Sequence, residues 1–313
     1  MNQMFLFANG FVDNLLSKIF KPLVEGLFTL AFGNIRNAID YANHNLSLTP
    51  AEYAASDDFS SFGNVLYNGQ GTGMIDKIIQ GVIMPVATVI LVYVVLYEFI
   101  TALIERNSFR EFDTAIFIRF IFKTTLGIYF LTHAMTIVNA LFDLGTFIIG
   151  GVNEEANPTR TILNAEANIT TYVTNADGVT CVGLLLPALL FFIVTVVMFV
   201  GVYVCLFGRM MEIFLNISIA PIPMATITNR DLGDMGKNYV KLIFSFVLQA
   251  FFILLAITIF GFLCSSLGSM ASGDGVNNSD INKHILEISA LGIVLILSMF
   301  KSGSLAKSIL NCH

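Results

Sequence analysis

Tryptophan is absent from this 313-residue chain, so any aromatic belt at a membrane surface must be built from its nine Tyr and 29 Phe residues. Charge is scarce as well. Asp, Glu, Lys and Arg make up 12% of the residues, against about 25% in soluble domains, which excludes an ordinary solvated surface. Lys and Arg total 16 against 22 Asp and Glu, with no basic block. A nucleic-acid-binding domain announces itself by a basic patch, and none is visible. The four cysteines, Cys181, Cys205, Cys264 and Cys312, match no metal-ligand spacing. Free thiols are expected, with a Cys181–Cys264 bridge as the alternative. The four histidines (His44, His133, His284 and His313) are isolated, and no Ser-His-Asp or Cys-His set is recognisable, so catalysis is not expected and no cofactor or metal is called for. The N-terminal residues lack the basic start and cleavage site of a signal peptide; the first lysine is Lys18.

What the chain has instead is long apolar runs. The clearest extends from Ile78 to Ile104. About 20 apolar residues at 1.5 Å each cross a hydrocarbon core of about 30 Å, and in that core a backbone satisfies its own hydrogen bonds only as a helix. The fold class is therefore all-α, a polytopic transmembrane helical protein of about five spans. These are expected near 78–104, 115–137, 184–207, 240–267 and 285–300. The apolar region of the second continues to Ile149, too long for one crossing, and must kink or lie along a surface. The last is short and is expected to tilt or re-enter.

Residues 1–77 form a separate N-terminal segment. Within it, 11–31 carries apolar pairs at helical spacing (Phe11/Val12, Leu15/Leu16, Ile19/Phe20, Leu23/Val24, Leu27/Phe28) between Asp13, Lys18, Lys21 and Glu25. This is an amphipathic helix that lies on a membrane or against protein. Thr49-Pro50-Ala51-Glu52 is a helix start, with Thr as N-cap and Glu at N3. Asn68-Gly-Gln-Gly-Thr-Gly73 lacks the Gly-Lys-Ser/Thr of a phosphate loop and reads as a flexible joint.

Lys and Arg mark the cytoplasmic side. Arg106 and Arg110 follow the first span; Arg209, Arg230, Lys237 and Lys241 follow the third; Lys301 and Lys307 close the chain. The 151–182 connection is acidic, with Glu154, Glu155, Glu166 and Asp177 against Arg160. The N-terminal segment is thus expected outside and the C-terminus inside a cytoplasmic membrane.

A charge within a span costs about 2.5–3.5 kcal/mol on insertion scales. Glu98 near the end of span one matches the depth of Arg119 and Lys123 in span two, so Glu98 is expected to pair with Lys123 or Arg119. Locking the hairpin, lining a conducting path, and snorkelling to the interface are the three readings of these residues. Arg209 and Glu212 stand three apart where span three exits, followed by an apolar segment broken at Pro221 and Pro223. This reads as a docking segment for a partner, or as a plain interfacial helix stopped by proline. Gly201 with Gly208, and Gly261 with Gly268, are each seven apart, on one stripe where small residues let helices approach.

Several segments resemble the TrbL-like channel subunits of conjugative type IV secretion machines, in the branch found in mobile elements of Gram-positive bacteria. They are Ile83-Met-Pro-Val-Ala87, Tyr97-Glu98-Phe99-Ile100, Glu111-Phe-Asp-Thr-Ala-Ile-Phe-Ile-Arg-Phe-Ile-Phe-Lys-Thr124, Gly208-Arg209 with Glu212, Ala220-Pro221, Gly233 with Gly236, and Tyr239-Val-Lys241 with Gln249. The resemblance covers roughly residues 75–265. It implies a homo-oligomeric, pore-associated subunit beside the path of relaxase-bound single-stranded DNA. The partners implied are other membrane subunits of the machine and ATPases that are separate chains; the Pro221/Pro223 break after Arg209 and Glu212, a shaped and charged surface beside a span, is where such ATPases are expected to dock. Where relatives contact DNA through a large outer loop, 151–182 here is short and acidic, which argues against a direct DNA contact, since phosphate binding needs Lys and Arg. A small-solute transporter is the alternative; it would show inverted repeats and helices broken at the midplane. A membrane enzyme would need a polar cluster at matched depth.

Overall fold

A chain this apolar closes its backbone hydrogen bonds within helices, and no strand occurs among the described residues. The computed structural model describes residues 2–55, 66–68, 72–104, 114–156, 158–270 and 278–312. The helices are α1 (Asn2–Leu46), α2 (Pro50–Ala55), α3 (Met74–Ile78), α4 (Met84–Ile104), α5 (Thr114–Thr132), α6 (Ala134–Ala156), α7 (Pro158–Asn175), α8 (Gly178–Ser218), α9 (Pro221–Thr226), α10 (Gly233–Met270) and α11 (Asn278–Ile309). Residues 69–71 of the glycine joint, the loop charges Arg106 and Arg110, and the surroundings of Gly268 lie outside the described residues.

Among the described residues, five helices are long and apolar enough to cross a membrane: Met74–Thr101, Ala134–Glu154, Gly178–Ser218, Gly233–Ser266 and Asp280–Ile309. The chain is an all-α, multi-pass membrane protein. Four of these coincide closely with the spans expected from sequence, and the second shares only residues 134–137 with the run expected at 115–137. The run expected at 115–137 is split at His133 into α5 and α6, and α6 is among the five apolar helices. Arg119 and Lys123 load α5 with charge, whereas Ala134–Gly151 carries Asp143 alone. The last helix, expected to be short, is a full 32 residues. The N-terminal helix is also longer than 11–31, continuing over 45 residues through Pro22.

α3 passes into α4 through a π-helical turn, Ile79–Ile83, closed by the Met84 N–H on the Ile79 carbonyl. The wider turn precedes Pro85, which has no N–H and whose ring crowds the carbonyl four residues back. The expected cap of α2 is present: the Thr49 N–H donates to Glu52 Oε2 (2.8 Å) and the Glu52 N–H to Thr49 Oγ1 (3.3 Å).

The chain divides into two compact units, and α6, α8, α10 and α11 contribute residues to both. The first comprises Met1–Asn45, Ile149–Leu206 and Phe252–Ser302. In it α1 buries Val24, Phe28, Ala31, Phe32, Ile35 and Ile39. Phe28 and Phe32 pack on Phe191 of α8 at ring-centroid distances of 6.0 and 5.3 Å, and Tyr41 packs on Tyr203 at 5.1 Å. α7 turns Ile162, Ala165, Ile169 and Val173 inward, at helical spacing. Cys181 and Cys264 are both buried free thiols.

The second unit comprises Leu46–Ile148, Phe207–Phe251 and Gly303–His313. Its core joins Tyr53, Tyr67, Ile79, Val138, Phe142, Ile213, Phe214, Met224, Ile243 and Phe246. A smaller cluster of Ala87, Leu91, Leu131 and Ala225 holds α9 against α4 and α5.

Candidate functional site

The charges set in apolar helices are the places where side chains do more than fill space. On α4, Glu98 accepts a hydrogen bond from Lys123 of α5 through Oε1. Its other oxygen accepts from Asn229 Nδ2 at 3.0 Å and from the Arg230 backbone N–H at 3.4 Å. Asn229 Oδ1 accepts from the backbone N–H groups of Asp231 and Leu232, both at 2.8 Å. The neighbouring Tyr97 donates its hydroxyl to Asp231 at 3.2 Å. One carboxylate therefore ties three chain segments together: α4, α5 and the turn between α9 and α10. The void beside it measures about 10 Å³, room for about one water. The side chain of Arg119 is exposed, and it makes no ion pair among the described residues.

The break at Pro221 and Pro223 corrects the expectation of a docking surface. Both prolines fall in the first turn of α9, where a missing N–H costs no helical bond. They are buried, as are Met224, Ala225 and Thr226. The segment is an interior wedge against α4 and α5, not a face offered to a partner. Arg209 and Glu212 do not act together either. Arg209 is 7% exposed and donates to the Phe246 carbonyl of α10 at 3.2 Å. Glu212 pairs with Lys307 of α11 at 2.5 Å. A three-residue step leaves about 60° between side chains, enough to bury one against α10 and turn the other to α11.

This second polar cluster contains residues that sequence reasoning missed. The Lys307 ammonium stands 5.6 Å from the ring centroid of Phe246, a cation–π distance. A Cβ on Gly303 would stand 3.1 Å from Gln249 Nε2. An isolated Gln249 in the apolar run of α10 was the one available signal. A third polar contact, also missed, joins the segment before α3 to α6. The buried Tyr67 hydroxyl donates to Asn139 Oδ1 at 2.9 Å, and burial pushes its phenol up to about 12. In the unfolded chain a Tyr ionises near pH 10; because burial disfavours the tyrosinate, the fold keeps its full stability below pH ~10 and loses it as pH rises from there through about 12. Tyrosinate absorbance and unfolding of the wild type, but not of Tyr67→Phe, are expected to share a step in that window.

The glycine stripe resolves into unequal members. A Cβ on Gly201 would meet Ile296 Cγ2 at 3.0 Å, whereas one on Gly208 meets nothing within 4 Å. Gly261 is buried on α10. Gly201→Val is expected to cost about 1–3 kcal/mol through overpacking, and Gly208→Ala to be silent, by thermal aggregation of the detergent-solubilised protein.

A family model described as TrbL/VirB6 plasmid conjugal transfer like protein matches residues 63–221. The chain belongs to the TrbL/VirB6 family. It is thus a multi-pass membrane protein of a conjugal transfer family. The match takes in α3 to α8, and with them Glu98, Arg119, Lys123, Arg209 and Glu212, and ends at the first proline of α9. No curated protein and no solved structure matches the chain.

Proposed function

We propose that this TrbL/VirB6 protein is a pore-associated structural subunit of a conjugative type IV secretion machine, supporting passage of relaxase-bound single-stranded DNA across the cytoplasmic membrane. The family match, over a chain with five apolar crossings, carries this reading. On this reading the chain is not an enzyme, and Glu98 and Glu212, charges set in apolar helices, join helices to one another. The work of transport then belongs to ATPases on other chains, and the subunit acts with further copies of itself and with other membrane subunits. Deleting it in frame from a donor strain is expected to reduce transfer by at least about a thousandfold while relaxase nicking and growth stay normal. Normal transfer from the deletion strain would sink the proposal, and loss of a solute uptake would favour a transporter.

The orientation we propose is N-terminus outside and C-terminus inside. α8 and α11 run in the same direction, as the pairs Gly201–Ile296 and Glu212–Lys307 require, so both enter from one side. An impermeant maleimide applied to whole cells is expected to label Asp177→Cys, at the acidic end, and not Met235→Cys, beside Lys237 and Lys241. The reverse pattern would invert the topology.

A further inference from the structure

The α4–α5 hairpin is held along its length. Glu98 pairs with Lys123, Phe99 packs on Phe120 at 4.9 Å, and a Cβ on Gly127 would stand 3.0 Å from Leu91 Cδ1. Each contact steps back along α4 as it advances along α5, so the two helices are antiparallel neighbours in one register. α9 belongs to the same body. Its Ala225 closes a small core with Ala87, Leu91 and Leu131. The turn that follows is fastened as well: Thr228 Oγ1 comes within 3.0 Å of the same Gly127 Cβ position, and Asn229 and the Arg230 N–H bond to Glu98.

The two legs of this hairpin break at one level. Six residues before Leu91 on α4 stands Pro85, and six residues after Gly127 on α5 stands His133. The antiparallel register sets the two side by side. Pro85 has no N–H for the Gly81 carbonyl four residues back, and α3 enters α4 there through the π-helical turn Ile79–Ile83. On the other leg, His133 is the single residue between α5 and α6. Its Nδ1 lies 3.1 Å from the Tyr129 carbonyl oxygen, the acceptor that its own backbone N–H uses at 3.0 Å. The ring also stacks on Tyr129 at 4.3 Å. A side chain set into the helical hydrogen-bond ladder is a cause of kinks. The links of α9 are no stiffer: Ile219 and Ala220 form a turn after α8, and 227–232 connect it to α10 without helix. All four connections between this body and the rest of the second unit therefore leave α-helical geometry. Met84, at the joint, packs against both the small core and the larger one, and an unbranched methionine repacks readily. α9 touches the larger core at Met224 and meets α10 at Gly236, which makes it the pivot.

We propose that α4, α5 and α9 form one arm that swings about a joint at Pro85 and His133, and that this swing is the motion the subunit contributes to transfer. The second half of the proposal rests on the reading of a transfer-machine subunit. Hinges confine a large backbone change to a few residues at the ends of elements. Breaks at two different levels would splint each other, because an unbroken helix beside a kink acts as a strut. Breaks at a common level open one axis of bending. The contacts around Glu98 keep the arm from splaying as it moves.

Nitroxide pairs in the full-length protein in nanodiscs, with Cys312→Ser, test this by double electron–electron resonance. Val89→Cys with Phe122→Cys lies within the arm, and Phe122→Cys with Phe147→Cys spans the joint. All three side chains are exposed. The spanning pair would be about 38 Å apart if α5 and α6 were one straight helix. A single narrow distance is expected within the arm, and a distribution at least about twice as wide across the joint. Pro85→Ala with His133→Ala lets both legs continue as α-helix. It is expected to narrow the spanning distribution to the width of the arm pair and to lower transfer at least about tenfold, with the amount in the membrane unchanged. A spanning pair as narrow as the arm pair in the wild type would overturn the swing, and breadth in both pairs would overturn the rigid arm. Narrowing with wild-type transfer would overturn the role in transfer. If the double variant does not accumulate, the wild-type distances decide the swing without it. They do so whether or not a deletion strain still conjugates, so the two failures are distinct.

Discussion

Glu98→Lys is expected to reduce the amount of protein in the membrane to about a tenth or less and to abolish transfer. The substitution sets an ammonium against Lys123 and removes the acceptor for Asn229 Nδ2 and the Arg230 N–H. Leaving a partly buried cation beside a like charge in an apolar helix costs about 3–5 kcal/mol, comparable with the whole stability of many domains. Glu98→Gln is expected to be milder, since an amide oxygen still accepts from Asn229. The double change Glu98→Lys with Lys123→Glu restores the ion pair between α4 and α5 but not the bonds to the turn, so it should recover part of the lost protein. Immunoblots of membrane fractions and transfer frequency measure both. Wild-type levels in the single Glu98→Lys variant would show that the pair is only snorkelling.

The second large effect is expected at Gly236. Near the start of α10, a Cβ there would stand 2.7 Å from the Pro223 carbonyl oxygen, 2.8 Å from Ile227 Cβ and 2.9 Å from Ile227 Cα. Two of these atoms are backbone, so the short helix α9 must move away as a body. α9 is wedged against α4 and α5, and shifting it also drags the turn that Glu98 holds. Gly236→Ala is expected to cost about 1–3 kcal/mol and Gly236→Leu more, by overpacking that cannot relax. The readouts are protease resistance of the detergent-solubilised protein and transfer frequency. Gly208→Ala, with open space around it, is the matched control. If Gly236→Leu tolerates heat and protease like the control, α9 is not the packed wedge described above.

The two clusters differ in how far they were legible. Glu98 and Lys123 stood out because a charge in an apolar run is costly wherever it lies, and equal depth in adjacent helices limited the choice of partner. That Asn229 and Arg230 complete the site was not legible, because more than a hundred residues separate them from Glu98 and nothing periodic marks the turn. Pro221 and Pro223 announced a break, but a break looks alike in sequence whether it faces water or the protein interior. Arg209 and Glu212 share a helical stripe on paper, yet α10 claims one and α11 the other.

The sequence by itself determined the solvent, the helical class and the number of long apolar crossings. Each of these follows from local composition, since about 20 consecutive apolar residues have one way to satisfy their backbone in lipid. Tertiary structure alone decided which residues share a depth. Hydrophobic periodicity made the N-terminal helix amphipathic, but did not say that α1 runs parallel to α8, nor that α7 folds back beside it. It also did not say that α5 and α6 part at His133, or that the proline break turns inward. Helix register depends on contacts between residues far apart in the chain, such as Phe28 with Phe191 and Arg36 with Glu166. Side-chain volume and pairing across helices settle those contacts, and no single segment carries that information.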